Sequence, residues 1–473
     1  MNFFKDLDKY ASRIAIYSDR SKPISYKELL KDSDFVGNNI KKRSLVFILC
    51  RNDVETIVGY LGILRSDCVV ALLDDKIDPF FLSNLIDKYK PRFIYLSSKN
   101  AELYSNTIHI IKKAKVICNY KTYNLIKTNI ETNYSINDDL AFLITTSGST
   151  GSSKFVRQSY NNTITNVKSI VEYLNIPSDN RAITTLPLSY TYGLSIVNTH
   201  LFMGAAIILT DASIMEKRFW DTFKKYKATN FGGVPYTYEM LKKLRFDQMD
   251  LPSLRYITQA GGKLSKELTA DFTDICAKKR IKFIVMYGQT EASPRMSYLP
   301  WENAKDKIGS IGIAVPGGKF NLKDHNGNII DTSNTSGELV YEGDNVTMGY
   351  AKDFNDLCKG DENNGILHTG DIAKYDADGF YYIVGRAKRF LKIFGRRINL
   401  DEVEMHLKND NYECACSGID DNLVVYVTNE DHISEIRNIL IKRLGINPQA
   451  FTVKFIDKIP RNKSGKIQYS LLK

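Results

Sequence analysis

No stretch of transmembrane length is free of charge in these 473 residues, which excludes a helical membrane span as the organising element. The opening MNFFKDLDKYASR carries acidic residues where a secretory leader has its apolar core, so a cytoplasmic protein is expected. Paired CxxC spacings are missing too. The seven cysteines, Cys50, Cys68, Cys118, Cys276, Cys358, Cys414 and Cys416, stand apart and read as reduced thiols, several of them buried, not as a zinc site. No internal repeat is visible, which excludes a solenoid. No helix-turn-helix, zinc or RNA-binding aromatic signature accompanies the basic residues, so nucleic acid is not an expected partner, and neither is a membrane.

What is present is an ordinary globular balance, 43% hydrophobic and 25% charged, in a chain long enough for at least two cores. The net charge of +11 favours anionic partners. Residues 386–473 hold sixteen Lys and Arg against eleven Asp and Glu, so the last fifth of the chain carries nearly half of that excess. The basic residues there are interleaved with acids and apolar residues, the pattern of a solvated basic face.

SLVFILC (44–50), CVVALL (68–73) and RFIYLS (92–97) are short apolar runs separated by helix-length stretches, the rhythm of buried parallel strands. The rhythm returns at AAIILT (205–210), LRYITQ (254–259) and KFIVMYG (282–288), each followed by a polar or glycine-bearing loop, where ligands of such sheets bind. From about residue 310 glycines and turns such as DADG (376–379) crowd together and predict antiparallel strands. The expected fold is α/β. A large N-terminal domain, residues 1–385, has parallel-rich sheets with helices plus an antiparallel β region; a small mobile α+β domain follows over 386–473.

Four segments carry chemistry. In LITTSGSTGSSK (143–154) an apolar strand enters a Ser, Thr and Gly loop closed by Lys154; backbone N–H groups, hydroxyls and a lysine together suit a phosphate. It is not a Walker loop, since the GKS/T pair is missing, and the same composition also serves plain connectors. YGQTE (287–291) sets an aromatic ring, a hydroxyl and a carboxylate at a strand end: Tyr287 suits adenine, Thr290 a phosphate and Glu291 a magnesium ion, although Glu291 equally suits a helix cap. HTGDIAKYDADGFYYIVGRAKR (368–389) offers Asp371 for ribose hydroxyls, or simply as a turn former, and Arg386 at the domain junction. PRNKSGKIQ (460–468) places Lys466 after a glycine near the last residue.

In order and spacing these segments resemble the motifs of the adenylate-forming superfamily, which includes acyl-CoA synthetases, peptide-synthetase adenylation domains and firefly luciferase. SYKEL (25–29), GSIGIAVPG (309–317), GELVYEGDNVTMGY (337–350) and GRAKRFLKIFGRRINLDEVE (385–404) extend the resemblance over nearly the whole chain. The resemblance implies ATP and magnesium as cofactors, with Thr146, Ser147, Gly148, Ser149, Thr150, Gly151 and Lys154 closing over the phosphates. It implies Gly261, Gly262, Lys263, Tyr287, Gly288 and Gln289 in the nucleotide and acyl pocket, with Thr290 and Glu291 acting on phosphate and metal. Asp371 and Arg386 would hold the ribose. Lys466 would bridge the acid and the α-phosphate, Lys388 would be the hinge of the small domain, and Gly395 would line a pantetheine tunnel.

The pocket departs from the family pattern. Tyr190 and Tyr160 stand where histidine is common, and SSKF has Ser153 and Phe155 in place of the usual PKG. Amino-acid activators have an aspartate where this chain has Thr191, and a buried ammonium without a counter-charge costs several kcal/mol, so an acid lacking an α-amino group is expected. Acetate-specific members have tryptophan at the position of Gly288, which predicts room for a longer acid. Tyr190, Thr191, Gly193, Tyr236 and Gly288 are the expected acid-pocket positions, with Tyr192 and Tyr238 as further hydroxyls. The chain stops at Lys473, so the thiol is expected in trans, from CoA or the phosphopantetheine of an acidic acyl carrier protein. The alternatives are an amino-acid-activating enzyme that loads a carrier protein and a non-catalytic nucleotide-binding relative.

Overall fold

The computed structural model describes residues 2–145, 154–386, 389–394, 396–443, 445–461 and 467–472. Its contacts divide the chain into two compact units, Met1–Ile308 with Ala314–Lys319 and Glu342–Leu367, and Gly309–Ile313 with Phe320–Tyr341 and His368–Lys473.

The first unit is built on two sheets. In one, Phe93–Ser97, Leu45–Cys50, Val69–Asp74 and Leu140–Thr145 lie side by side and parallel. Every residue of Leu45–Cys50 and Phe93–Ser97 is buried, which is why the sequence shows unbroken apolar runs there and no alternation. In the other, Lys282–Tyr287, Tyr256–Gln259, Asn230–Gly233, Arg181–Ile183, Ala206–Leu209 and Ile14–Ser18 are neighbours in that order, again parallel. The parallel runs end where the sequence places them, within one or two residues.

Helices enter from capped turns. Ser159 accepts from the Asn162 amide at 3.0 Å while the Asn162 side chain accepts from the Ser159 amide at 2.9 Å, a reciprocal cap that starts Tyr160–Leu174 directly after the strand Phe155–Ser159. Helix Thr191–Phe202 carries the buried His200, whose Nδ1 donates to the Ile196 carbonyl at 2.8 Å and whose Nε2 accepts from Asn230 at 3.2 Å. Both ring nitrogens are thus used by a neutral imidazole.

The second unit carries a four-stranded sheet, Lys319–Lys323, Gly337–Glu342, Ile366–Tyr375 and Tyr381–Arg386, the last two antiparallel across the expected DADG turn. It also holds Cys414–Ile419, Asn422–Val427 and Phe451–Phe455, packed with helices Leu400–Asn409 and Ile433–Lys442 over a core that includes Leu407, Cys416, Val425, Ile436 and Leu440. Glu404 is a buried hub here: it accepts from Arg389 at 2.6 Å, the Cys416 amide at 2.8 Å, Lys408 at 3.0 Å and the Tyr469 hydroxyl at 3.1 Å. The cysteines are free thiols, and Cys50, Cys68, Cys276, Cys414 and Cys416 are buried. Among the described residues no helix is long and apolar enough to cross a membrane.

Burial pulls the His200 pKa down to about 4, so the folded state refuses a proton that the unfolded chain takes up below about 6.5. Stability from this group is complete above pH 6.5 and falls as the pH drops towards 4, by roughly 3 kcal/mol in all. Urea unfolding of wild type and His200→Gln across that window checks it: the wild type should lose more stability than the variant.

Candidate active site

Parallel pairing aligns Gly233 with Gln259 and Gln259 with Val285, so three adjacent strands finish on one edge of the sheet. The chain leaves this edge at Val234, Ala260 and Gly288, and the first turn of helix Pro235–Lys243 and the two following loops carry Tyr236, Gly261–Lys263 and Gly288–Glu291. The sheet geometry alone therefore gathers residues that are far apart in sequence.

The loop after Tyr287 turns through a short 3-10 helix, Thr290–Ala292, and left-handed Ser293. It is held by the segment 344–350. Thr347 donates its amide and its hydroxyl to the Glu291 carbonyl at 2.9 and 3.0 Å, and Asn345 donates to the carbonyls of Ala292 and Arg295 at 2.7 and 2.9 Å. Asn162, in the first turn of its helix, donates to the carbonyls of Asp344 and Val346 at 2.8 and 2.7 Å. Arg157 is fully buried; it pairs with Glu362 at 2.5 Å and donates to the carbonyls of Met348, Tyr350, Lys359 and Gly360.

Tyr350 is where this stitching meets the expected phosphate and metal residues. Its hydroxyl donates to Glu291 Oε1 at 2.6 Å, and Lys154 Nζ lies 3.6 Å from the centre of its ring. Burial, then the Glu291 carboxylate, pushes the Tyr350 hydroxyl well above the usual phenol range, so it stays a donor. Lys154 and Glu291, 137 positions apart, thus share one aromatic ring. The segment GELVYEGDNVTMGY ends at Tyr350, but nothing local in it marks that residue for the site.

At the acid-pocket positions the outcome is mixed. Tyr190 packs beside Tyr192, and its hydroxyl would stand 2.5 Å from a Cβ at Gly261, whose φ of +83° already calls for glycine. Burial pushes the Tyr190 hydroxyl up to about 12. Thr191 is buried in the first turn of its helix, with Gly193 beyond it. Tyr236 is 55% exposed. The hydroxyls of Tyr192 and Tyr238 both donate to the Thr258 carbonyl, at 2.8 and 2.7 Å, so they belong to the core and not to a ligand. Gly288 requires a different account. A Cβ there would lie 1.6 Å from the Pro294 carbonyl oxygen, so this glycine answers to close backbone approach and is no measure of pocket depth. Tyr287 closes its strand, with Gln289 donating to its hydroxyl at 3.3 Å, and Lys263 is exposed.

In the second unit Asp371 and Arg386 face each other on paired strands, and Arg386 Nε donates to the carboxylate at 2.9 Å. The side chain of Asp371 is 3% exposed and that of Arg386 62%. Residues 146–151, Lys388, Gly395 and Lys466 lie outside the described residues.

The pattern of the AMP-binding enzyme family matches residues 3–351. The chain belongs to the AMP-binding enzyme family. Among curated relatives of this AMP-binding enzyme, 3-hydroxybenzoate–CoA/4-hydroxybenzoate–CoA ligase of Thauera aromatica is 24% identical over 94% of this chain and 90% of its own length. Luciferin 4-monooxygenase of Photuris pensylvanica is 26% identical over 99% and 94%. O-succinylbenzoate coenzyme A synthetase from Bacillus subtilis, solved in complex with ATP and magnesium ion, superposes with a TM-score of 0.79 at 20% identity, covering 100% of this chain and 99% of that one; it shares the fold.

The Gly288 contact makes a direct prediction. Gly288→Ala forces the 288 and 294 backbones apart and should destabilise the AMP-binding enzyme by about 3 kcal/mol, read as a lowered denaturation midpoint.

Proposed function

We propose that this chain joins a carboxylic acid to AMP, releasing pyrophosphate, and then passes the acyl group to a thiol. The observation that carries this reading is the Lys154–Tyr350–Glu291 constellation beside the carboxyl edge of the parallel strands, in a chain that belongs to the AMP-binding enzyme family. Relatives named as CoA ligases support CoA as the thiol; a stand-alone acyl carrier protein is the other acceptor that the basic last segment suits.

In the first half-reaction a carboxylate oxygen attacks the α-phosphorus, a new P–O bond forms and the α–β bridging bond breaks. Two anions must meet, so fixed positive charge is needed where negative charge gathers. Lys154 would hold the β- and γ-phosphates as the product pyrophosphate leaves. Lys466 would bridge the acid and the α-phosphate. Glu291 fits a magnesium ion: it is a single hard carboxylate, oriented through one oxygen by Tyr350, and this metal takes few protein ligands and several waters. When bound, magnesium would neutralise phosphate charge. Asp371 and Arg386 would hold the ribose, with Lys388 as the hinge between residues 1–385 and 386–473. In the second half-reaction a thiol sulfur attacks the acyl carbon and AMP leaves. The acid lacks an α-amino group, because Thr191 offers an ammonium no counter-charge.

Pyrophosphate release from ATP and magnesium across hydroxy, aryl, fatty and α-amino acids tests the reading. Release is expected with one non-amino class and should fall on the order of 10²–10³-fold in Lys466→Ala, with ATP binding retained. Absence of release with every acid, while ATP still binds, would replace the enzyme with a nucleotide sensor. Tyr350→Phe removes the donor that orients Glu291, and should raise the magnesium concentration for half-maximal release about 10-fold or more.

A further inference from the structure

Among the described residues, the side chains of Arg157, Arg295 and Arg389 are buried deeply enough for their charge to need a partner inside the protein. Arg157 has Glu362, and Arg389 has both Glu404 and Asp401 at 2.6 Å. Arg295 is only 2% exposed and makes no ion pair among the described residues. Its partners are all neutral: Nη1 donates to the Tyr173 hydroxyl at 3.3 Å and meets Met286 Sδ, Nη2 donates to Ser195 Oγ at 3.1 Å, and the guanidinium carbon lies 4.3 Å from the centre of the Tyr192 ring. Nε has no hydrogen-bond partner. A guanidinium cannot shed its proton, so this site keeps a full positive charge in surroundings that supply no anion.

Its place in the fold says what the charge is for. Ser195 is one helical turn beyond Thr191, and the backbone of Gly288 approaches the Arg295 Cα so closely that a Cβ there would stand 3.1 Å from it. Ser195, which accepts from the guanidinium, lines with Thr191 and Pro294 a cavity of about 10 Å³, close to the room one water needs. Arg295 therefore bonds to the helix that carries the expected acid-pocket positions Thr191 and Gly193 and packs against the backbone of a third, Gly288.

We propose that Arg295 binds a second carboxylate of the acid, so that the substrate is a dicarboxylic acid activated at one end and anchored at the other. This rests on the adenylation reading above and names its substrate class. A planar guanidinium with an unused Nε–H matches a carboxylate edge-on, and the neutral hydroxyls around it hold the fork in place without competing for its charge. The same cation repels an ammonium, so it excludes α-amino acids by a second route besides Thr191.

The test uses the full chain with ATP, magnesium and matched pairs that differ only in the second carboxylate: succinate with butyrate, glutarate with pentanoate, phthalate with benzoate. Pyrophosphate release should favour the diacid of at least one pair by about 100-fold in kcat/KM. Arg295→Gln should abolish that preference mainly through KM, and Arg295→Lys should keep part of it. Equal turnover of a monoacid and its diacid, unchanged in Arg295→Gln, would overturn the inference and leave adenylation standing. If no acid gives release, adenylation itself fails and binding decides: a rise in the thermal midpoint with a diacid but not its monoacid, lost in Arg295→Gln, supports the anion site, and no rise overturns it. Should Arg295→Gln fail to fold, the wild-type preference and Arg295→Lys decide alone.

Discussion

Parallel pairing is the constraint on which the first unit's site depends. Because the strands ending at Gly233, Gln259 and Tyr287 run in one direction, their following loops must all emerge on one edge. An antiparallel neighbour would have sent every second loop to the far side. The pairing leaves the loops themselves unfixed. Gly288–Arg295 contains only a three-residue 3-10 turn, too short to hold its own shape, and its carbonyls are occupied by Thr347 and Asn345 from a segment some fifty residues later. The site is thus a sheet edge whose loops are pinned by side chains from elsewhere, a division of labour that lets the scaffold stay constant while the loops change.

Charge is distributed unevenly over that scaffold. Lys154 and Glu291 are brought to one tyrosine, so that a cation, a ring and a carboxylate stand together. Around Arg295 the contacting groups are neutral: Tyr173, Ser195, Met286 and the ring of Tyr192. A neutral, aromatic pocket raises the strength of any single charge inside it, since little nearby can screen it.

How much of this could be read from the sequence follows from what each feature depends on. The parallel strands were legible because burial on both faces writes itself as an unbroken apolar run, as in Leu45–Cys50, and the DADG turn because its glycine needs φ of +81°. Glu291 and Lys154 were legible as motif members; that Tyr350 joins them was not, because the contact crosses 59 residues to Glu291 and no local pattern encodes it. Tyrosine hydroxyls were the least legible. Tyr192 and Tyr238 look like pocket residues in sequence, yet one carbonyl, at Thr258, accepts from both. Gly288 misled for the same reason, since a missing side chain reads as space until the Pro294 carbonyl is found occupying it. Arg295 had a signal, a lone cation in the otherwise uncharged PRMSYLP, but only its burial without a carboxylate gives that signal meaning.

The Arg157 clasp bears on how the molecule is born. Its bonds join groups 191 to 205 positions apart, so the loop they close is among the costly ones and closes late. On a ribosome, the strand Phe155–Ser159 emerges long before Lys359, Gly360 and Glu362 exist, and until they do its guanidinium has no carboxylate to be buried with. The family pattern ends at residue 351, eleven short of Glu362, so a fragment cut at that border would keep the whole matched sequence and lose the anion that allows its interior to close.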